Sequence, residues 1–255
     1  MSDQRIFLIT GGNRSIGLAI VQKLAQASPK DHFLIASRSV QAGEEAVAEL
    51  RKVGITAPLS VVQLDLNDDA SQQAAVKHLT EAYGRLDILI NNAGVGKAAT
   101  PVPGEPDYAS KFRKNFGDVY QLNVISLALF TELCLPLLHK APEPMVINVS
   151  SVRGSLTSAR SRKVRLPPVI AYPCSKAALN IWTLELQNKE DEAGGSIRYY
   201  LACPGYCKTA FNGYRGPKDP LDGAKVVEEL VMAPEGKYEF GFYNWEDNGF
   251  ERVPW

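Results

Sequence analysis

Ile6-Phe7-Leu8-Ile9-Thr10-Gly11-Gly12-Asn13-Arg14-Ser15-Ile16-Gly17 is the stretch from which the rest of the chain can be read. The aliphatic run over residues 5–10 reads as a strand. After the glycine turn, Leu18, Val21, Leu24 and Ala25 step at three and four, the period of a helix with one buried stripe. A tight turn between a strand and a helix lets the backbone approach a pyrophosphate, and free N–H groups at the helix N-terminus favour its charge. The spacing here is Gly-x5-Gly between Gly11 and Gly17, with Ser15 where a middle glycine is expected.

Outward from this unit the same alternation repeats. Strand-like runs occur at 32–37, 60–65, 86–91, 144–150, 197–203 and 237–243, and Ala46, Leu50 and Val53 mark another helical stripe. Leu86-Asp-Ile-Leu-Ile90 and Met145-Val-Ile-Asn-Val149 are continuous rather than alternating, which suits strands buried on both faces of a parallel sheet. The expected fold is α/β: a single domain over 1–255, a doubly wound parallel sheet of the Rossmann type flanked by helices. The Pro- and Gly-rich patches 101–106 and 213–223 read as loops inside it.

Composition narrows the function classes. Among 255 residues, Lys plus Arg and Asp plus Glu both number 28, so a global electrostatic footprint for nucleic acid is absent. Four cysteines (Cys134, Cys174, Cys203, Cys207) make neither a disulfide framework nor a zinc ribbon and are expected as reduced thiols. Cys203 and Cys207 are read as small buried side chains, and His32, His78 and His139 are given no metal or other chemistry. No signal stretch precedes the first strand. The apolar window Val124 to Leu138, broken by Glu132 and Pro136, reads as too short for a bilayer. A cytoplasmic protein with no membrane partner is expected.

The second strand bears on the cofactor. Folds that bind NAD in this way place an acid at its end for the ribose 2′-hydroxyl. Here His32-Phe-Leu-Ile-Ala-Ser37 runs into Arg38, with no acid before Glu44, and Arg14 lies in the glycine turn. Two cations suit a 2′-phosphate, which a guanidinium can bind with two parallel bonds, and so suit NADPH. Tyr172-Pro-Cys-Ser-Lys176 sets a phenol and an ammonium four apart, on one helical face. A nearby cation is expected to lower the phenol toward a useful acid–base range. Pro173 suggests a helix starting at 173. A second match, Tyr214-Arg-Gly-Pro-Lys218, lies where Gly and Pro forbid a helical face and is read as chance.

The glycine turn, Asp65, Asn91-Asn92-Ala93-Gly94, Asn123, Ser151, Tyr172 with Lys176, and Pro204-Gly205-x3-Thr209 follow the order seen in short-chain dehydrogenases/reductases. The chain resembles that family over essentially its whole length. Asn13-Arg14, Arg38, Cys203-Pro-Gly-Tyr-Cys-Lys-Thr209 and the ending Val253-Pro254-Trp255 make it most similar to the NADPH-dependent carbonyl reductases. The resemblance implies that Tyr172 donates a proton to a ketone or aldehyde oxygen as hydride arrives, and that Ser151 holds that oxygen. It implies that Lys176 bonds the nicotinamide ribose and that Asn123 anchors a water chain. It places Gly11, Asn13, Arg14, Ser15, Ile16, Gly17, Arg38, Asp65, Asn91, Ala93, Gly94, Pro204, Gly205, Cys207 and Thr209, with Tyr172 and Lys176, along the cofactor. Imine reduction, alcohol oxidation and a catalytically silent NADP(H)-binding regulator are the alternatives on this scaffold; the last is disfavoured because Tyr172, Ser151, Lys176 and Asn123 are all retained.

Twenty residues lie between Ser151 and Tyr172, about eight more than most of the family carries. Within 152–171, Arg153, Arg160, Arg162, Lys163 and Arg165 stand without an acid. They read either as solvated charge or as a field that steers anionic carbonyl compounds. The extra residues also resemble those of monomeric carbonyl reductases, so a monomer is expected. Seven aromatics over 238–255 are read first as core packing and second as the wall of an apolar pocket.

Overall fold

The computed structural model describes residues 4–96, 101–161, 169–246 and 248–255. One sheet of eight strands runs through it. Its strands are β1 (Ile6–Thr10), β2 (His32–Ser37), β3 (Leu59–Gln63), β4 (Ile88–Asn91), β5 (Met145–Val149), β6 (Arg198–Cys203), β7 (Phe242–Glu246) and β8 (Gly249–Arg252). The order is β3-β2-β1-β4-β5-β6-β7-β8, parallel throughout except for β8. The helices are α1 (Ser15–Ala27), α2 (Val40–Lys52), α3 (Asp69–Ala82), α4 (Tyr108–Tyr120), α5 (Leu127–Leu138), α6 (Leu156–Ser161), α7 (Ala171–Glu192) and α8 (Pro220–Met232).

The continuous apolar runs are explained by burial on two sides. In β1, Phe7 and Ile9 join a core with α1 and α8, while Ile6 and Leu8 join a second core with α3, α5 and α7. Period two along the strand delivers alternate side chains to opposite layers, so both sets must be apolar. Strand order reverses between β1 and β4, and a doubly wound sheet opens its ligand crevice at such a point, outside the carboxyl ends of the strands.

Several expectations need correction. The last parallel strand is Phe242–Glu246, starting five residues later than the expected run 237–243 and sharing only 242–243 with it, and an antiparallel β8 follows it. Val53 lies beyond α2 and is exposed. The patch 213–223 is not wholly loop: Asp219 caps α8 by accepting the Leu221 N–H at 2.8 Å, and Pro220 takes the first turn, where its missing N–H costs nothing. The apolar window is part of a continuous helical run, Tyr108–Leu138, whose 31 residues have the length and composition to cross a membrane. Phe130, Cys134, Leu137 and Leu138 on that run are buried against the sheet, so its apolar character is used by the core. Likewise, Phe242 and Tyr243 are buried, Tyr243 stacks on Phe250 at 5.0 Å, and Trp255 stacks on Phe240 at 5.8 Å. The tail aromatics close the sheet edge, which favours the core-packing reading.

Candidate active site

The glycine turn is built for close approach. Gly11 has φ +63°, and a β-carbon on Gly17 would lie 2.2 Å from the Gly11 carbonyl oxygen. Asn92 fastens the turn from the end of β4: its Nδ2 donates to Thr10 O at 2.9 Å, and its own N–H donates to Thr10 Oγ1 at 3.0 Å. The Ala93 N–H shares that hydroxyl at 3.0 Å. α2, α3 and α8 are capped by Ser39, Asp68 and Asp219, but α1 has no side-chain cap and no acid in its first turn. Its leading N–H groups are left for an anion, so the residues present fit the pyrophosphate of a dinucleotide.

Ser15 takes the backbone a glycine would take, with φ +52°. A left-handed L-residue costs on the order of 1 kcal/mol, partly offset by the entropy a glycine loses on folding. Ser15→Gly is therefore expected to hold or raise the melting temperature, and Ser15→Val, β-branched in the same conformation, to lower it by several degrees. A thermal melt in which the glycine variant is the less stable one would overturn the strain argument.

Thr10 pairs with Ala36, so the turns carrying Arg14 and Arg38 leave adjacent strand ends, and both arginines are exposed there. Asp65 follows β3 on the same side, its Oδ1 accepting the Asn67 N–H at 3.0 Å. Gly94, Pro204, Gly205 and Thr209 lie after β4 and β6 at this edge, and Asn13 is half-buried in the turn. Three of the expected cofactor side chains turn elsewhere. Asn91 is buried and donates to Thr131 Oγ1 and Asn148 Oδ1, both at 2.8 Å, tying β4 to α5 and β5. Ile16 packs into the core, and Cys207 Sγ donates to Pro204 O at 3.2 Å while burial pushes its thiol up to about 12. The Asn91 and Cys207 side chains are thus turned from the crevice, and Ile16 is partly buried against the core.

The catalytic candidates converge beside this turn. Ser150 is turned inward onto Asn180 Oδ1 at 2.6 Å, which leaves Ser151 as the serine of the cleft. α7 begins at Ala171, before Pro173 rather than at it, because a first-turn N–H needs no intrahelical partner. Tyr172 therefore sits in helical register with Lys176. Lys176 is buried, donates to Val149 O at 2.8 Å and stands 5.9 Å from the centre of the Tyr172 ring. Burial pushes Lys176 down to about 8. Burial also pushes Tyr172 up to about 12, aided by Cys203; the Ser151 hydrogen bond and the Arg153 guanidinium pull it back. The expectation of a lowered phenol is thus reversed in the protein alone, because desolvation outweighs the Ser151 hydrogen bond and the Arg153 charge.

Asn123 lies in a π-helical turn, Gln121–Ser126, between α4 and α5. Its Oδ1 accepts the Val95 N–H at 2.8 Å, and its Nδ2 donates to Val95 O at 2.8 Å and to Ser175 Oγ at 3.1 Å. Ser175 Oγ donates in turn to Tyr172 O at 2.7 Å. The Asn123 side chain is thus a clasp between the loop after β4 and the tyrosine helix. The wider turn suits such a place, since single π turns often mark functional sites. The chance pair is excluded by geometry: Tyr214 has φ +60° and is exposed, and Lys218 lies 3.6 Å from Glu246.

Ser175 and Phe211 escaped the sequence reading, and Asn92 and Arg153, though named in it, were not given the roles they take here. The Phe211 ring meets Tyr172 edge-on at 5.5 Å and covers Gly96, where a β-carbon would stand 2.4 Å from the ring. Arg153, read as solvated or steering charge, instead donates from Nη2 to Val169 O at 3.1 Å. Arg162, Lys163 and Arg165 lie outside the described residues. All four cysteines are free, and Cys203 and Cys207 are buried as expected. Among the described residues no metal-binding cluster occurs.

A family model for short chain dehydrogenases matches residues 5–220. The chain belongs to this family. A short-chain dehydrogenase/reductase of Aspergillus fumigatus is 35% identical over 100% of this chain and 98% of its own length. Human carbonyl reductase (NADPH) 1 is 29% identical over 90% of this chain and 91% of its own. NADPH-bound carbonyl reductase from chicken fatty liver superposes with a TM-score of 0.82 at 28% identity, covering 99% of both chains. Within the family, then, this dehydrogenase is similar to carbonyl reductases, and it is an oxidoreductase of the short-chain type.

Proposed function

We propose that this oxidoreductase uses NADPH to reduce the carbonyl of a small ketone or aldehyde to an alcohol. The observation that carries the reading is the convergence of Ser151, Tyr172 and Lys176 at the sheet edge beside an uncapped helix N-terminus. NADPH, when bound, supplies the hydride. The glycine turn and the first turn of α1 would hold its pyrophosphate, and Arg14 and Arg38 its 2′-phosphate. Lys176 would reach its ribose, and Thr209 with the Pro204-Gly205 turn would border the nicotinamide end.

The remaining steps belong to the chain itself. Ser151 donates a hydrogen bond to the substrate oxygen and fixes the carbonyl for attack. The Tyr172 phenol, held far above neutrality by burial, carries its proton at neutral pH, the state a proton donor needs. Oxidation of an alcohol would require the phenolate, so the buried phenol favours reduction near neutral pH. The Phe211 ring, over Gly96 and edge-on to Tyr172, would screen one side of the phenol from water. NADPH consumption over a panel of ketones, aldehydes and imines tests the reading; no turnover with any carbonyl compound would overturn it. We further propose that the enzyme acts as a monomer without nucleic acid or membrane, and sedimentation as a stable tetramer would remove the first part.

Cofactor choice makes a separate prediction. Charge-assisted bonds to a phosphate contribute about 1.5–3 kcal/mol each, or roughly ten- to a hundredfold in affinity. Arg38→Asp is expected to weaken NADPH by that factor and to strengthen NADH, through repulsion of the 2′-phosphate and a new acceptor for the 2′-hydroxyl. Equal use of both cofactors by the unmodified protein would remove the basis of this prediction.

A further inference from the structure

Ser151 and Tyr172 must face one substrate oxygen, yet they stand at the two ends of a 20-residue excursion. Contacts between the two limbs that flank the excursion therefore bear on how the two side chains are brought together. The limb that leaves Ser151 is fixed locally. Gly154 N donates to Ser151 O at 2.7 Å, Arg153 N to Ser151 Oγ at 3.2 Å, and Val152 N to Cys203 Sγ at 3.3 Å. Gly154 lies hard against α7, since a β-carbon there would stand 2.7 Å from the Lys176 carbonyl carbon. Farther along, Thr157 N donates to Trp255 O at 2.9 Å. Among the described residues, the limb that returns to Tyr172 is met by a side chain from the first limb: Arg153 Nη2 donates to Val169 O at 3.1 Å. The next carbonyl, that of Ile170, accepts the Cys174 N–H that closes the first turn of α7.

We propose that Arg153 is a positioning residue of the site. Its guanidinium ties the segment leaving Ser151 to the segment entering Tyr172, sets the phenol in register with the serine hydroxyl, and holds a fixed positive charge beside it. The inference rests on Tyr172 as the proton donor. The groups facing that phenol are Ser151 and Arg153 from the turn after β5, Cys203 from β6, and Lys176 from its own helix. Lys176 is committed to Val149 O, and the Arg153 charge acts with the larger Ser151 hydrogen bond against the desolvation of the phenol. A planar guanidinium can hold the Val169 carbonyl and keep its charge at every working pH, whereas an ammonium is a mobile point charge.

The test compares Arg153→Gln and Arg153→Lys with the unmodified chain, by hydrogen exchange over residues 169–179 and by pH profiles in both directions. In Arg153→Gln, exchange over this segment is expected to accelerate about tenfold and kcat to fall about ten- to a hundredfold, with KM for NADPH unchanged. A positive charge favours the phenolate, so its loss raises the phenol's titration point. The alkaline fall of reduction and the alkaline rise of alcohol oxidation should both move to higher pH in the glutamine variant and stay nearer their places in the lysine variant. Unchanged exchange in both variants, or a lower kcat with an unmoved pH profile, overturns the proposal. Should Arg153→Gln fail to fold, Arg153→Lys decides by exchange alone. Exchange needs no turnover: if the unmodified protein reduces no carbonyl compound, the proposed function falls, while accelerated exchange still supports the tether and unchanged exchange still overturns it.

Discussion

Tyr172→Phe is expected to lower the rate of carbonyl reduction by about two to four powers of ten, the usual cost of losing a positioned general acid. NADPH affinity should change little. The ring remains, so the edge-on contact with Phe211 at 5.5 Å and the first turn of α7 are kept. Only the oxygen that faces Ser151 is removed. The effect should therefore appear in kcat and not in KM, because the phenol acts when the substrate oxygen gains charge. Lys176→Ala is the contrasting variant. It removes the bond to Val149 O and the group placed to meet the ribose, so it should weaken NADPH as well as slow turnover. Rapid-mixing kinetics with NADPH fluorescence separate the two patterns. Near-normal turnover in Tyr172→Phe would transfer the proton-donating role to another group and undo the proposed mechanism.

Much of this architecture was legible in the residues. Continuous runs such as 145–149 announce strands buried on two faces, and six of the seven runs read as strands overlap the parallel strands closely. The site was legible where chemistry requires particular residue types at fixed spacing, as with Tyr172 and Lys176 on one helical turn. It was illegible where a role depends on side-chain direction. Asn91 and Asn92 are adjacent and chemically identical, yet the strand pleat sends Asn91 into the core and leaves Asn92 to clamp the glycine turn. Ser150 and Ser151 divide in the same manner, one bonded to Asn180 and one in the cleft. Arg153 was unreadable because its partner is a backbone carbonyl 16 residues away, and no residue pattern marks a carbonyl. The direction of the Tyr172 shift failed for a related reason: spacing reveals the cation but not the desolvation that outweighs it.

Gly17→Ala should separate helix propensity from the needs of the cofactor cradle. In an exposed helix interior, replacing glycine by alanine stabilises by up to about 1 kcal/mol. Gly117 in α4 is such a position, since a β-carbon there meets nothing within 4 Å, and Gly117→Ala is expected to raise the melting temperature. Gly17 is also helical, but its added carbon would lie 2.2 Å from Gly11 O, 2.6 Å from Asn92 Nδ2 and 2.8 Å from the Gly11 carbonyl carbon. Two of those atoms are backbone, and the third belongs to the side chain that fastens the turn to Thr10 O. None can swing aside as a flexible chain end would, so α1 and the glycine turn must separate. Overpacking of this kind costs about 1–3 kcal/mol, which exceeds the propensity gain and should lower the melting temperature. The larger effect falls on binding. The turn's N–H groups must converge on one pyrophosphate, and a displacement of the helix N-terminus spoils several charge-assisted bonds together, so NADPH affinity should drop by about a hundredfold or more. Fluorescence titration of NADPH with the two alanine variants, beside their thermal melts, gives both readouts without any substrate. A Gly17→Ala protein that binds NADPH normally would show that the glycine turn is a packing feature of α1 and that the dinucleotide is held elsewhere.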